Sequence, residues 1–291
     1  MHLSRKQTKF GTLQRDLPPL KDAIDYQLTK APLLYLFVER FREWANWDKR
    51  VYLSFVHRGD IVLDVGANVG AHTIFLSHLA GAHGRVIAFE PLPANIAALK
   101  DTVRRRARYT NISIVPAAVG DSHSNEGTAT LKIPGDDHTQ ASLAVQIAGS
   151  WELRDFRELE VPLVSLDTST EVHILSHLEL VKIDVEGGEL DVLRGASRTL
   201  SQHMPLIYCE AYEKWQAPFG YNSADLIEFA RSLGYLEARV FSGGTVHPIR
   251  LNDGAPRSLF VTSADILFFA DTHRNAVERF DRRYRIHNSS R

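Results

Sequence analysis

The sequence predicts an α/β fold built on a doubly wound, mostly parallel sheet. Short apolar runs alternate with segments of helical periodicity, a pattern typical of βαβ units. A glycine-rich turn also joins the first apolar run to the next helical segment, as at the junction of a buried strand and a helix N-terminus. The apolar runs that predict the parallel strands cover 61–65, 85–90, 112–119, 178–185 and 206–210.

Two segments depart from this alternation. Residues 127–133 and 159–166 alternate polar and apolar side chains around a polar loop, which predicts a β-hairpin insertion. Residues 235–241 and 258–269 are predicted to form an antiparallel ribbon, which adds an antiparallel C-terminal strand to the sheet. Helices are predicted at 72–80, 93–107, 190–200, 223–233 and 272–286.

The predicted organisation is one α/β domain with two extensions. The domain covers residues 58–271, after an N-terminal helical extension or lid over 1–57 and before a C-terminal basic helix and tail over 272–291. Apolar and aromatic side chains recur at helical spacing over 33–56. They predict core packing, with a lid or a homodimer face as the alternatives.

Composition narrows the class of partner. The chain has 34 Lys and Arg against 35 Asp and Glu, a net charge of −1, so neither nucleic acid nor a membrane is expected as a partner. The arginines near 104–108 and 279–285 are interpreted as solvated helix ends. The single cysteine, Cys209, excludes an intramolecular disulfide, and the first residues lack the apolar segment of a secretory signal. We therefore expect a reducing, cytoplasmic location.

The glycine-rich turn and two acids indicate the ligand class. Asp64 precedes the turn Gly66-x-x-x-Gly70, and Glu90 ends the next strand. Asn68 stands where a dinucleotide fingerprint has its second glycine, and no Gly-Lys-Ser/Thr phosphate loop is present. Asp64 would repel a phosphate but suits an amine, and Glu90 suits the hydroxyls of a ribose. The combination favours S-adenosylmethionine (SAM) over NAD or ATP.

Several motifs together resemble the FkbM family of SAM-dependent methyltransferases. The resemblance covers roughly 58–240 and implies a class I, Rossmann-like methyltransferase fold for the 58–271 domain. It also implies methyl transfer to a hydroxyl of a small-molecule acceptor, such as a sugar, a glycoside or a polyketide-type natural product. The motifs are Leu63-Asp-Val-Gly-Ala-Asn-Val-Gly70, Phe89-Glu-Pro-Leu-Pro93, Val164-Ser-Leu-Asp167, Val181-Lys-Ile-Asp-Val-Glu-Gly187 and Leu193-Arg-Gly-Ala196.

The resemblance, with the strand-end geometry, assigns residues to the cofactor. Asp64 would hold the SAM amino group directly or through water, and Glu90 would hold the ribose hydroxyls. Thr73 is interpreted as a cap of the turn or an ordinary first-turn threonine. The methionine portion is assigned to Gly66, Ala67, Asn68 and Gly70, and the two sides of the adenine to Pro91 and Leu92 and to Ala117 and Ala118.

Three carboxylates are the main catalytic candidates. Asp184 ends the fourth strand and is expected to anchor the cofactor or the acceptor, with Glu186 or Glu210 as the general base. His138 in the inserted loop is the alternative base, because histidine titrates near neutral pH. Carboxylates can also bind Mg²⁺, but no dense Asp/His spacing favours a metal, and no metal ligand is assigned.

Other functions remain open from the sequence. An N-methyltransferase or an RNA methyltransferase is the alternative within enzymes, and a catalytically inactive SAM-binding scaffold is the alternative outside them. An NAD-dependent reductase is the least favoured, because of Asn68.

Overall fold

The computed structural model describes residues 47–121, 127–135, 138–146 and 155–286. Predictions for 1–46, the rest of the inserted loop and 287–291 lie outside these residues. The helices and strands used below are α1 (Trp47–Phe55), β1 (Ile61–Val65), α2 (Ala71–Ala80), β2 (Arg85–Phe89), α3 (Pro93–Arg106), β3 (Ile112–Val115), β4 (Ala118–Val119), β5 (Gly127–Pro134), β6 (Phe156–Val164), α4 (Thr170–His173), β7 (Leu180–Ile183), α5 (Glu189–Arg194), α6 (Ser197–His203), β8 (Leu206–Ala211), α7 (Glu213–Gln216), α8 (Ser223–Ser232), β9 (Glu237–Ser242), β10 (Thr245–Arg250), β11 (Ala264–Phe269) and α9 (Arg274–Tyr284).

The main sheet confirms the predicted fold class. Its strand order within the described residues is β10-β9-β11-β8-β7-β1-β2-β3. The five strands from β8 to β3 are parallel, and β11 is antiparallel to both β8 and β9. The antiparallel C-terminal strand is therefore β11. The sequence analysis missed β10, which pairs with β9 across the turn at Gly243 and Gly244.

A second, three-stranded sheet has the order β4-β6-β5. The predicted hairpin insertion is confirmed as the antiparallel pair β5 and β6. The prediction of one strand over 112–119 is wrong, because the chain leaves the main sheet after β3 and β4 pairs with β6 instead. Pro116 lies at this break, and a proline cannot donate a ladder hydrogen bond.

Both faces of the main sheet are buried, as expected for parallel strands. On one face, Val62 aligns with Val86 and Leu180 and packs with side chains of α1, α2 and α9. On the other, Leu63 aligns with Ile87 and packs with side chains of α5, α6 and α8. The helix predicted over 190–200 is broken into α5 and α6 at Gly195, whose missing Cβ would lie 2.0 Å from the Gly120 oxygen.

The first and last described helices contact each other. The rings of Phe55 in α1 and Phe280 in α9 lie 5.3 Å apart, and Trp47 meets Tyr284 at 5.6 Å. Helix α9 falls within the predicted 272–286, and the boundaries of the three predicted segments remain predictions. No helix among the described residues is both long enough and apolar enough to cross a bilayer.

Candidate active site

A cavity of about 600 Å³ opens where β1, β2 and β7 end. The small sheet supplies its other wall through Thr130, Leu131 and Lys132. The predicted residues that line it are Gly66, Ala67, Asn68, Glu90, Pro91, Ala117, Ala118, His138, Asp184 and Glu186. Asp64, Gly70, Thr73, Leu92 and Glu210 were also predicted as site residues and are not among those that line it.

The turn after β1 depends on close backbone approach. Gly66 has φ 79°, and a Cβ there would lie 1.8 Å from the carbonyl oxygen of Asp184. Gly70 has φ 92°, and its Cβ would lie 2.4 Å from Leu99 Cδ1, so Gly70 allows helix packing rather than cofactor contact. Asn68 adopts the left-handed conformation at φ 49°, which asparagine tolerates better than most residues.

Glu90 is held firmly at the cavity wall. Its Oε2 accepts a hydrogen bond from the Asn68 backbone N–H at 2.8 Å, and its Oε1 accepts one from the Leu92 N–H at 3.0 Å. Asn95 Nδ2 donates to Oε1 at 3.3 Å. Burial raises the pKa of the Glu90 carboxyl, and these hydrogen bonds act in the opposite direction. A fixed acceptor at this place can bind the hydroxyls of a ribose.

One buried oxygen on the same turn needs a donor. Asn68 Oδ1 is buried and has no hydrogen-bond partner among the described residues. A buried acceptor without a donor costs roughly 1–3 kcal/mol. An amino or hydroxyl group of a bound molecule would satisfy it, so the residues present fit a cofactor that carries both.

Asp64 lies behind this turn and does not face the cavity. It is fully buried, Thr73 Oγ1 donates to its Oδ2 at 2.6 Å, and Lys182 Nζ lies 3.2 Å from its Oδ1. Thr73 therefore serves Asp64 and does not cap α2, whose N-cap residue is Gly70. The role of Asp64 in binding a cofactor amine, directly or through water, remains a prediction.

Lys182 is a site residue that the sequence analysis missed. It is buried in the middle of β7, donates to the Gly66 carbonyl oxygen at 2.8 Å and lies 3.6 Å from Asp184 Oδ2. Burial lowers the pKa of Lys182, but Asp64 and Asp184 outweigh that effect and leave the pKa above its usual value. A lysine within the apolar run 178–183 was the available signal, since lysine is rarely buried unless it is paired.

Asp184 and Glu186 follow β7 at the cavity wall. The Asp184 side chain is 42% exposed, which leaves it accessible to a bound molecule. Glu186 has φ 58°, and its carbonyl oxygen accepts hydrogen bonds from Ser142 Oγ at 2.8 Å and Gln146 Nε2 at 2.9 Å. These bonds tie the inserted segment to the β7 turn.

The two remaining base candidates sit apart. His138 lines the cavity from the inserted loop, with Nε2 3.4 Å from a guanidinium nitrogen of Arg157. Glu210 accepts a hydrogen bond from Ser263 Oγ at 3.1 Å, and burial raises the pKa of its carboxyl well above the usual value. Of the predicted catalytic residues, the anchor candidate Asp184 and the base candidates Glu186 and His138 therefore line the first cavity, and Glu210 does not.

A second cavity of about 350 Å³ adjoins the first. His72, Lys182 and Asp184 line both. Sequence reasoning missed this cavity because its walls come from α1, β8, the β9–β10 turn and β11, which are far apart in the chain. Its other lining residues include Trp47, Asp48, Tyr52, Tyr208, Phe241, Ser263 and Asp265.

The described residues contain no group of three or more His, Cys, Asp or Glu side chains placed to hold a metal ion. The polar side chains that line the cavity are carboxylates, amides, imidazoles, lysines and hydroxyls.

The fold and this site define a class of protein. A parallel sheet extended by an antiparallel strand, with a glycine turn after β1 and a fixed acid after β2, is that of a class I SAM-dependent methyltransferase. The profile of the family described as Methyltransferase FkbM domain matches residues 64–237. The chain therefore belongs to the FkbM methyltransferase family, which confirms the resemblance seen in the sequence.

Three curated relatives agree with this family. Methyltransferase 1 of Beauveria bassiana is 25% identical over 57% of this chain and 75% of its own length. The hexuronic acid methyltransferase AglP of Haloferax volcanii is 28% identical, over 52% of this chain and 56% of its own. The 31-O-demethyl-FK506 methyltransferase FkbM of Streptomyces tacrolimicus is 30% identical, over 47% and 59%. The chain thus spans little more than half the length of the last two.

Among solved structures, the chain is similar to a methyltransferase FkbM from Methylobacillus flagellatus. The identity is 16% and the TM-score 0.43, over 86% of this chain and 59% of the other.

Proposed function

We propose that this protein is a SAM-dependent O-methyltransferase whose acceptor is a hydroxyl of a small metabolite, such as a sugar, a glycoside or a polyketide-type natural product. Family membership supports methyl transfer. Two relatives are named for hexuronic acid and for 31-O-demethyl-FK506, and the second name specifies an oxygen.

The observation that carries the proposal is the fixed Glu90 carboxylate beside the unsatisfied Asn68 oxygen. Glu90 would accept from the ribose hydroxyls, and Asn68 Oδ1 would accept from the amino group. Pro91 and Ala117 would flank the adenine. When bound, SAM supplies an electrophilic methyl group on a sulfonium.

The remaining charges have supporting roles. Asp184 would place a negative charge near the sulfonium, and Lys182 lies 3.6 Å from its Oδ2. Asp64 would act through Lys182, which holds the Gly66 carbonyl and with it the turn that contacts the cofactor. Asp64 and Lys182 are therefore positioning residues.

Calorimetric titration of SAM, S-adenosylhomocysteine and NAD tests the cofactor. The protein should bind the first two and not NAD, and Glu90→Gln should weaken SAM binding at least tenfold, because a buried hydroxyl acceptor is lost. Glu228→Gln is the matched control, since Glu228 is exposed on α8 and pairs only with Arg231 there. Thermal unfolding of both variants confirms that they are folded.

Each rival function predicts a different result. Affinity for NAD but not SAM would contradict the proposal. SAM binding without methyl transfer to any acceptor would favour the inactive scaffold, and RNA binding that weakens with salt would favour an RNA methyltransferase.

A further inference from the structure

The second cavity adjoins the cofactor cavity. The two share His72, Lys182 and Asp184, so a molecule seated in the second cavity would lie against side chains that also line the first. Its volume of about 350 Å³ is in the range of small-ligand pockets.

The walls of this cavity combine aromatic rings with polar groups. The Trp47 and Phe241 rings lie 5.4 Å apart, and Tyr208 lies 5.9 Å from Phe241. Polar groups of Ser263 and Asp265 complete the lining. Apolar ring faces beside a few convergent polar groups suit a sugar ring, which has C–H faces and a hydroxyl edge.

A buried hydroxyl in the wall faces a carboxyl. Tyr208 is 4% exposed, and its hydroxyl interacts with the Asp265 carboxyl. A hydroxyl of a bound acceptor would have both groups as hydrogen-bond partners.

The charge of the cavity selects against anions. Its described lining contains Asp48, Asp184 and Asp265 against Lys182, which already lies 3.2 Å from Asp64. Burial raises the pKa of Asp265 to about 7, and the Asp184 and Asp48 charges add to that effect, so Asp265 carries only part of a negative charge near neutral pH. A carboxylate or phosphate on the acceptor would be repelled.

His72 stands between the two cavities with one ring nitrogen engaged. Nδ1 lies 3.2 Å from the Tyr52 hydroxyl and 3.5 Å from Asp48 Oδ2. Nε2 is then the nitrogen left to take a proton, as in other carboxylate–histidine pairs. The charged and titratable groups that line the second cavity together with His72 are Asp48 and Tyr52 on α1, Lys182 and Asp184 at β7, Tyr208 on β8 and Asp265 on β11.

We propose that the second cavity is the acceptor site, that it takes a sugar or glycoside without an acidic group, and that His72, oriented by Asp48, is the general base. This inference rests on the proposed function. The acceptor oxygen forms a bond to the methyl carbon while the carbon–sulfur bond breaks. The electron pair of that bond stays on sulfur, and the hydroxyl proton passes to His72 Nε2 and then to water.

Three pools of monosaccharide methyl glycosides test the acceptor class. They contain neutral sugars, the matching uronic acids and the matching amino sugars, and mass spectrometry follows the transferred methyl. We expect turnover of the neutral pool with kcat/KM at least tenfold above that of the uronic acids. Preference for the uronic acids, or no turnover of any pool by protein that binds SAM, would overturn the acceptor class. Loss of SAM binding would instead overturn the proposed function.

Variants test the base. His72→Gln should lower kcat about 10²–10⁴-fold and remove the rise of kcat with pH that loss of the imidazole proton produces. The exposed His177→Gln, matched in chemistry, should do neither. If Asp265→Asn removes the rise and His72→Gln does not, the base is Asp265 and this assignment is wrong.

An NMR measurement, which needs no turnover, tests whether Asp48 acts on His72 or only packs against it. In the free protein, nitrogen NMR of the His72 ring should show the proton on Nδ1, and Asp48→Asn should weaken that preference, because the carboxylate 3.5 Å from Nδ1 is gone. An unchanged tautomer would show that Asp48 does not orient His72.

Discussion

At the scale of single residues, the centre of the site depends on one buried cation. Lys182 lies between Asp64 and Asp184 and donates a hydrogen bond to the Gly66 carbonyl oxygen. It therefore connects β7 to the glycine-rich turn after β1. Removing one partner of a buried ion pair leaves an uncompensated charge. The resulting loss of stability is larger than the stability that the intact pair contributes.

Lys182→Met should therefore destabilise the fold by about 3–5 kcal/mol, because Asp64 is left buried with Thr73 as its remaining polar contact. Urea unfolding measures this loss. The double variant Asp64→Asn/Lys182→Met should recover most of it, and Lys100→Met on the exposed side of α3 should cost less than about 0.5 kcal/mol. A double variant as unstable as Lys182→Met would contradict the buried-charge explanation.

Some of these residues could be recognised in the sequence, but their contacts could not be predicted from it. Glu90 could be predicted because an acid at the end of the second strand has a local signature. The partner of Asp64 could not, because Lys182 is 118 positions away and only the β1–β7 register brings the two side chains together. Asp64 and Thr73 were for the same reason assigned to the cofactor rather than to the layer behind it.

At the scale of elements, the turn between β7 and α5 is held by a buried acid. Glu189 Oε1 accepts hydrogen bonds from the backbone N–H groups of Val185 and Gly187, and Oε2 faces the Tyr221 hydroxyl at 3.0 Å. Burial raises the pKa of Glu189 to about 7, against the pull of those N–H groups. The Glu189 carboxyl that orders this turn is therefore harder to ionise than an exposed glutamate.

This turn should make stability depend on pH. Between about pH 4.5 and 7, the unfolded chain loses the Glu189 proton while the folded chain keeps it, so stability falls as pH rises, by up to about 3 kcal/mol. Urea unfolding at several pH values should show a shallower fall for Glu189→Gln than for the wild type. The difference between the two curves isolates Glu189 from other buried acids, and parallel curves would refute the assignment.

The strands also show where a prediction from the local sequence pattern is wrong. The β5–β6 hairpin was predictable from its alternation, but the strand predicted over 112–119 is divided between two sheets at Pro116. Sequence periodicity does not record which sheet a strand joins. The second cavity was unpredictable for a related reason, since its walls meet only in the folded sheet.

At the scale of the whole molecule, an aromatic cluster connects the ends of the described chain to the second cavity. Phe280 in α9 packs on Phe55 of α1 at 5.3 Å and lies 6.4 Å from both Trp47 and Phe241, which line that cavity. Helices α1 and α9 therefore support one wall of the proposed acceptor site.

Phe280→Ala should lower the free energy of unfolding by about 3–5 kcal/mol, because a fully buried ring is replaced by a cavity. In the folded variant, affinity for SAM should be retained while affinity for the acceptor falls, since only the second cavity loses its support. Chemical unfolding and calorimetry measure the two effects. Val261→Ala, at a 58% exposed position, serves as the control, and equal losses for both ligands would contradict the separation.

The placement of β7 beside β1 has a consequence for how the chain is made. During synthesis, β1 has β2 on one side and an unpaired edge on the other until Leu180–Ile183 leaves the ribosome. Asp64 lacks its cationic partner Lys182 over the same interval. The turn after β1 can reach its final form only after Lys182 has been synthesised, and such long-range pairing slows folding and prolongs exposure of the sheet edge to other chains.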